Sequence, residues 1–364
     1  MLLTDTASVI RFAKKAARPA YDTGPLSGID GNIPSAALRR PVSSAIRRHR
    51  AAAVASIVAA ALTAPATGAA SAEPTSEARY TMVAFSDGNP NQMDVYESTD
   101  GTEFRVLKEA AYRPPSGRVR DPSIFRHTDG NYYVTYTTGD GATIGFARSP
   151  DRVTWTHLRN HPVPFCCALL PGTGDGKGPV NPFGINGSAG FRDGPSLSPF
   201  TTKAWAPEWF VDGGKVHVIL SMSTGGGFVP YVMTAQNPAL TSWSWPVPFG
   251  GLNADRIDTT VVKVGAKYHA IVKNEHKKVL EHAVADRPTG PFAPRELASL
   301  GTLVEGPSVV QLPNGHWRLY FDSYREKKYY YADSADGMKT WSPRRELPGL
   351  SGTVRHFTVL REQA

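Results

Sequence analysis

Three carboxylates occupy equivalent places in a repeated strand pattern. Asp121, Asp258 and Glu305 each stand at the start of an apolar strand that returns through a short hairpin. The copy at Glu305 reads EGPSVVQLPNGHWRLYFDSY, with a Pro-Asn-Gly turn between its two strands. Acids brought together repel one another and lose solvation, which costs stability unless a function requires them. We therefore expect these three carboxylates to face one another in a catalytic centre.

A cluster of this kind suits the hydrolysis of a glycosidic bond. One carboxyl group gives a proton to the leaving oxygen, while an ionised carboxylate activates water or attacks the sugar directly. A third acid nearby raises the pKa of the proton donor by charge repulsion and orients it. Trp205 precedes another copy of the repeated strand, and its aromatic face is suited to hold a sugar ring.

Two offset repeats define the elements that position these residues. Copies of the strand-and-hairpin pattern begin at residues 121, 206, 258 and 306, with steps of 85, 52 and 48 residues. The long first step contains a Gly/Pro-rich insertion at about 162–203, which we interpret as a loop. A pattern of a tight turn closed by an aromatic residue occurs five times, at 95–104, 146–155, 234–243, 283–292 and 332–341.

The repeats predict an all-β fold, a five-bladed β-propeller over residues 80–364. Each blade is a four-stranded sheet of roughly 50 residues. The segment 80–86 has no inner strand before it, and 354–360 has no partner strands after it. We expect the N-terminal strands to pair with this C-terminal strand, which closes the ring and leaves no open edge. A β-sandwich with incidental turn similarity is the alternative.

The N-terminal part has the features of a secretory signal. A basic run at 47–50 precedes an apolar run at 51–69, and a small-x-small site ends at Ala72. We expect cleavage near Ala72 and secretion of the mature protein. The alternative of a membrane anchor is disfavoured because the apolar run is Ala-rich and broken by Pro65. The polar stretch before the signal suggests that the true start lies near Val42.

Charge and cysteine content narrow the function further. The net charge of +8 is concentrated in the leader at 1–72, which has nine basic and three acidic residues and precedes a linker at 73–79. The remainder is nearly balanced, so no nucleic-acid partner is indicated. Cys166 and Cys167 are adjacent and form either a vicinal disulfide or a pair of buried thiols. Neither is expected to be a nucleophile or a zinc ligand.

Five short motifs resemble those of glycoside hydrolase family 43, which contains arabinanases, α-L-arabinofuranosidases and β-xylosidases. Each motif alone is common, but all five follow the order and spacing of the family, and the resemblance covers about residues 80–361. The motifs are RDPS with Asp121, WAP at 205–207, ID at 257–258, EGPS from Glu305 and RH at 355–356.

The resemblance implies a five-bladed fold and a reaction that inverts the anomeric carbon. By position, Asp121 is the general base, Glu305 is the general acid, and Asp258 raises the pKa of the acid and orients it. We expect Glu305 to be protonated at neutral pH because Asp258 is close. The carboxyl groups of Asp121 and Glu305 are expected to lie roughly 6.5–9.5 Å apart, which leaves room for a water molecule.

The remaining site residues carry open alternatives. Trp205, Tyr324 and Arg355 are expected to bind substrate, although Arg355 is also suited to pair with Asp121 or Asp258. His356 is either a ligand of a central metal, which is calcium in similar arabinanases, or a hydrogen-bonded core histidine. We expect no required cofactor, with a structural Ca²⁺ in the central channel as the alternative. Three residues depart from the family pattern and are expected to act locally. Glu208 stands where Asp is commoner, Thr259 replaces a frequent Pro and loosens the corner beside Asp258, and Phe357 replaces a usual Gly and narrows the channel.

The expected partner is a plant or microbial polysaccharide or oligosaccharide, cleaved at arabinofuranoside, galactofuranoside or xyloside bonds by a monomeric enzyme. The insertion at 162–203 weakly favours exo action, because a long loop is suited to close one end of a cleft. Three alternatives remain. Fructan hydrolases carry an Asp-Pro-Asn motif that this sequence lacks, sialidases have six units, and a propeller can bind carbohydrate without catalysis.

Overall fold

The computed structural model describes residues 78–363 except 87, 116, 164–202 and 224–226. The leader, the signal cleavage site, nearly all of the linker, Cys166 and Cys167 lie outside the described residues, as does almost all of the insertion. Within the described ranges, no helix has the length and apolar character needed to cross a membrane.

The described residues form twenty β-strands and one short 3-10 helix, Ala298–Leu300. The strands, in chain order, are β1 (Ala78–Ser86), β2 (Asn89–Ser98), β3 (Arg105–Tyr112), β4 (Arg120–Arg126), β5 (Tyr132–Thr137), β6 (Thr143–Ser149), β7 (Thr156–Pro162), β8 (Lys203–Asp212), β9 (Lys215–Ser223), β10 (Val229–Thr234), β11 (Val247–Pro248), β12 (Arg256–Val264), β13 (Lys267–Asn274), β14 (Val279–Ala285), β15 (Arg295–Glu296), β16 (Glu305–Gln311), β17 (Trp317–Ser323), β18 (Lys328–Ser334), β19 (Arg345–Glu346) and β20 (Arg355–Gln363).

These strands make five four-stranded antiparallel sheets. Blades 1 to 4 contain β4–β7, β8–β11, β12–β15 and β16–β19, and blade 5 has the order β20-β1-β2-β3. The inner strands β4, β8, β12, β16 and β20 each contact the next one in a closed ring. The predicted five-bladed propeller is therefore confirmed.

Closure depends on the pairing of the two ends of the propeller. Strand β1 pairs with β20 from Ala78↔Gln363 to Phe85↔Arg355. The segment 80–86 is thus the second strand of blade 5, as the offset repeats predict. This pairing completes the fifth blade from the two ends of the propeller and closes the ring.

The core is divided among the contacts between neighbouring blades. Five clusters of buried apolar side chains each join residues of two adjacent blades. Between blades 1 and 2, for example, Phe146 stacks on Trp243 with 5.5 Å between ring centroids. Burying such large rings contributes about 25 cal/mol per Å² of apolar surface, so each blade is stabilised mainly by its two neighbours.

The repeated turns are held by serine and aspartate side chains. In the turn after β6, Ser149 Oγ donates to Asp151 Oδ1 at 3.0 Å, and Asp151 accepts the Val153 and Thr154 N–H groups at 2.9 and 2.7 Å. These backbone hydrogen bonds lower the pKa of Asp151 to about 2. The turns after β2 and β18 use Asp100 and Asp336 in the same way.

Each inner strand contains a β-bulge at the same place in the repeat. Between Glu305↔Asp322 and Ser308↔Tyr320, two residues of β16 face one residue of β17, and the other four inner strands show the same offset. One residue of each bulge has a left-handed backbone, with φ between 31° and 57°; these residues are Asp121, Ala206, Asp258, Gly306 and His356. The bulge bends the strand and redirects its side chains toward the mouth of the channel.

We predict that Gly306→Ala destabilises the protein by about 3 kcal/mol. A Cβ atom at Gly306 would lie 2.9 Å from Cγ of His356, in addition to the cost of its positive φ of 57°. Urea denaturation of the variant measures the loss. Gly315→Ala is the control, because Gly315 has φ 81° but no atom within 4 Å of the added Cβ, and it should cost about 1 kcal/mol. Equal losses would show that the contact with His356 is unimportant.

Candidate active site

The five bulges are joined by side chains of the second strands. In each blade, one residue of the second strand pairs with the inner-strand residue at the start of the bulge. The side chain of this second-strand residue contacts the inner strand of the next blade at its bulge. Thr137 and Ser221 accept the N–H groups of Ala206 and Asp258, at 2.9 and 3.1 Å. The other three contacts are Lys273 Nζ to Glu305 at 2.7 Å, Asp322 to Arg355, and the Phe85 ring to the Arg120 guanidinium at 5.3 Å. This ring of contacts fixes the bulges relative to one another.

Asp121 and Asp258 face the same imidazole. His356 Nδ1 lies 3.3 Å from Asp121 Oδ1 and 3.8 Å from Asp258 Oδ2. Thr137 Oγ1 donates to the second oxygen of Asp121 at 2.8 Å, which fixes this carboxylate. Burial lowers the pKa of His356, but the charges of Asp258 and Asp121 outweigh burial and raise it above its ordinary value. The imidazolium form therefore balances the two acids.

Glu305 is held between two cations. Lys273 Nζ lies 2.7 Å from its Oε2, and a guanidinium nitrogen of Arg355 lies 2.8 Å from its Oε1. Burial raises the pKa of Glu305, but the charge and hydrogen bond of Lys273, with Arg355 and His356, bring it below its ordinary value. The structure thus differs from the expectation of a Glu305 protonated at neutral pH, because its cationic neighbours favour the carboxylate more than burial opposes it.

Asp258 is tied to the strand that carries Glu305. Its Oδ2 accepts the Gly306 N–H at 3.2 Å, one residue after Glu305. Burial raises the pKa of Asp258 to about 6, assisted by the Glu305 charge and opposed by His356. Asp258 therefore lies where it can orient Glu305, and the charges of the two carboxylates act on each other.

Arg355 forms ion pairs with two acids of blade 4. They are Glu305 and Asp322, a fully buried carboxylate on β17. Arg355 begins β20 and extends toward blade 4, whereas the next residue, His356, faces the two aspartates. Burial raises the pKa of Asp322 to about 6 despite its Arg355 partner.

The two aromatic residues predicted to bind substrate lie beside this charged cluster. Tyr324 follows β17, and its ring centroid is 4.9 Å from Lys273 Nζ. Trp205 lies next to Ala206, which is bonded to the Thr137 partner of Asp121. Its ring is 5.1 Å from that of Phe228. The Tyr324 ring therefore lies beside the lysine that contacts Glu305, and Trp205 lies next to the residue that Thr137 links to Asp121.

Two of the departures from the family pattern, Glu208 and Phe357, have distinct surroundings. Glu208 occupies a position that is Ser or Thr in the other four inner strands, and it accepts a hydrogen bond from Thr260 at 3.5 Å. Burial raises the pKa of Glu208 to about 7. Phe357 does not narrow the channel as expected: it stacks on Tyr329 at 4.4 Å in the apolar cluster between blades 4 and 5.

The calcium alternative for His356 stays a prediction. The described residues contain no group of three or more His, Cys, Asp or Glu side chains arranged to hold a metal ion. His356 Nδ1 already faces two carboxylates, and the protonated form that they favour has no lone pair for a metal. Calcium also prefers oxygen ligands to imidazole.

Comparison with known proteins now bears on the identity of this site. Residues 195–362 match a family model described as a probable glycosyl hydrolase domain related to family 43. The match covers slightly less than half of the 364 residues. It confirms the predicted resemblance to family 43 and supports the prediction of a glycosidase. A search of curated protein sequences finds no match.

Solved glycosidase structures share the fold of this chain. An endo-1,4-β-xylanase from Bacteroides thetaiotaomicron is 13% identical, with a TM-score of 0.52 over 77% of this chain and 97% of that one. A family 43 β-1,3-galactosidase with galactodeoxynojirimycin is 14% identical, with a TM-score of 0.53 over 71% of this chain and 92% of that one. At these identities the likeness supports the fold and leaves the substrate open.

Two residues of the site were missed by the sequence analysis. Lys273 and Asp322 stand in second strands, opposite the bulges at Asp258 and Gly306. A signal was present, because Lys273 and Asp322 occupy the same place in the hairpin repeat as Thr137 and Ser221. These second-strand positions were not among the predicted site residues because the prediction considered only the acids of the inner strands.

We predict that replacing His356 by Gln destabilises the protein more at pH 6 than at pH 9. The folded-state pKa of His356 is raised, so its contribution is complete below its unfolded pKa of about 6.5 and is lost as pH rises through the folded value. Chemical denaturation at the two pH values gives the difference. His316→Gln, in the β16–β17 hairpin, is the control. A loss that is equal at both pH values, or larger at pH 9, would contradict the imidazolium assignment.

Proposed function

We propose that the mature protein is a secreted, monomeric, inverting glycosidase that removes furanose or pentose units from a polysaccharide or oligosaccharide. Arabinofuranosides, galactofuranosides and xylosides are the proposed substrates. Asp121 acts as general base, Glu305 as general acid and Asp258 as the residue that orients the acid and adjusts its pKa. Trp205, Tyr324 and Arg355 contribute to substrate binding.

One observation carries this proposal: three acids from blades 1, 3 and 4 converge at one end of the propeller. Asp121 and Asp258 share the imidazole of His356, and Glu305 is joined to the next residue of β20, Arg355. A structural purpose alone does not explain so many acids, because each one loses solvation on burial. Acid and base carboxyl groups in one site are what hydrolysis with inversion requires.

The protonation states that Glu305 and Asp121 need for the reaction favour activity below pH 7. Glu305 must hold a proton to protonate the leaving oxygen, whereas its cationic neighbours keep its pKa below the ordinary value. Asp121 must be ionised to take a proton from water. This proton transfer needs no cofactor, and a calcium ion in the channel, if the full protein binds one, would be structural.

Secretion belongs to the same proposal and rests on the sequence at 47–72. Cleavage after Ala72 would give an extracellular protein that begins at Glu73 and enters the propeller a few residues later. N-terminal sequencing of protein from culture medium tests this step, and recovery of the uncleaved chain inside cells would contradict it.

We predict that Glu305→Gln lowers kcat/KM by about 10²–10⁴-fold on an aryl glycoside with a poor leaving group. The loss should be much smaller on the dinitrophenyl glycoside, because that phenolate leaves without a proton. Asp121→Asn should be impaired on both substrates, since both reactions need an activated water.

A first screen of aryl arabinofuranosides, galactofuranosides, xylosides and β-galactosides selects the sugar. The β-galactosides are included because a β-1,3-galactosidase shares the fold.

Glu346→Gln is the matched control for these variants. Glu346 lies on β19 of the same blade as Glu305 and pairs with Lys328 at 2.7 Å, so its loss should leave both rates unchanged. Equal loss on both leaving groups for Glu305→Gln would remove it from the role of acid. A wild-type protein that binds oligosaccharides but hydrolyses none of them would identify a carbohydrate-binding propeller instead.

A further inference from the structure

We propose that Lys273 is a positioning residue that sets the pH range in which Glu305 can act as an acid, and that Glu275 moderates this effect. The proposal rests on the proposed function for the identity of the acid. Its geometric basis is the chain Glu275–Lys273–Glu305, in which one ammonium group is shared by two carboxylates. Lys278 also pairs with Glu275, and Arg355 also pairs with Glu305.

The shared contact is short on both sides. Lys273 Nζ lies 2.7 Å from Glu305 Oε2 and 2.7 Å from Glu275 Oε2. The lysine is only 4% exposed, and the Tyr324 ring covers the ammonium group at 4.9 Å. Because water is largely excluded, the interaction is screened much less than a surface ion pair.

The backbone keeps this chain in place. Lys273 lies near the end of β13, and the turn that follows accepts the Leu303 N–H at the Lys278 carbonyl, at 2.7 Å. Leu303 is two residues before Glu305. The Glu275 N–H in turn donates to the Asp255 carbonyl at 2.9 Å. The turn after β13 and the segment leading into β16 are therefore one hydrogen-bonded unit, which fixes Lys273 relative to Glu305.

Lys273 remains a cation in this environment. Burial lowers its pKa, but the charges of Asp258 and Glu305 and the contacts with Glu275 and Glu305 raise it above the ordinary value. A fixed positive charge in direct contact favours the ionised form of a carboxylate. Glu275 competes for the same charge, so it weakens the hold of Lys273 on Glu305.

This arrangement has a kinetic consequence that differs from loss of structure. On the alkaline side of the pH profile the general base is ionised, so kcat/KM follows the protonated fraction of Glu305 alone. Removing the Lys273 charge enlarges that fraction and displaces the alkaline limb to higher pH. Removing the Glu275 charge has the reverse effect, because the positive charge of Lys273 is then no longer shared between two carboxylates and stabilises ionised Glu305 more strongly.

The test is the pH dependence of kcat/KM on the aryl glycoside with a poor leaving group. Lys273→Met should move the alkaline limb to higher pH by about one pH unit, and Lys273→Arg, which keeps the charge, should return it toward the wild-type position. Glu275→Gln should move it to lower pH. Lys263→Met is the control, since Lys263 is in the same blade and pairs with Asp212 on the exposed surface at 3.0 Å.

A second measurement needs no substrate. In protein labelled at the glutamate carboxyl carbon, the ¹³C signal that disappears in Glu305→Gln reports the titration of Glu305, and its midpoint should rise in Lys273→Met and fall in Glu275→Gln. Unchanged midpoints would overturn the proposal even for an active enzyme. Displaced midpoints in a protein that hydrolyses no glycoside would leave the Lys273 effect intact and refute the proposed function instead.

Discussion

The structure depends on one geometric constraint, the accommodation of an extra residue in every inner strand of a closed ring. Each bulge forces one residue into the left-handed region, and three of the five are non-glycine residues that bear a functional group: Asp121, Asp258 and His356. The cost of about 1–2 kcal/mol per residue is offset by hydrogen bonds from neighbouring blades. The bulges that bend the inner strands also direct the side chains of these residues toward one another at the mouth of the channel. The same feature therefore shapes both the fold and the site.

A second constraint is charge balance at the mouth of the channel. Asp121, Asp258, Glu305 and Asp322 would repel one another there, and the cations that compensate them come from β13 and β20 of blades 3 and 5. Because each cation touches two acids, no carboxylate can be changed without altering the pKa of its neighbours. The pKa of Glu305 is therefore a property of the network, and Asp258 is one contributor among several.

The architecture could be predicted from the sequence because the spacing of the repeats fixes where each inner strand begins. The steps between residues 121, 206, 258 and 306 reproduce the spacing of the bulges, and the unpaired strands at both ends implied the β1–β20 closure. The partners of Arg355 and the charge on Glu305 could not be predicted, because both depend on which second-strand side chain reaches across to the next blade. Phe357 was misplaced for a related reason, since its side chain points into the interface between blades and not into the channel.

The central claim is that an acid and a base from different blades act on opposite sides of the scissile bond. The most direct test is a ¹H NMR time course of hydrolysis that identifies the anomer formed first, before mutarotation. The account predicts the inverted anomer, because water attacks from the face opposite the leaving group. Initial formation of the retained anomer would contradict it, since that result requires a carboxylate that attacks the sugar and forms a covalent intermediate.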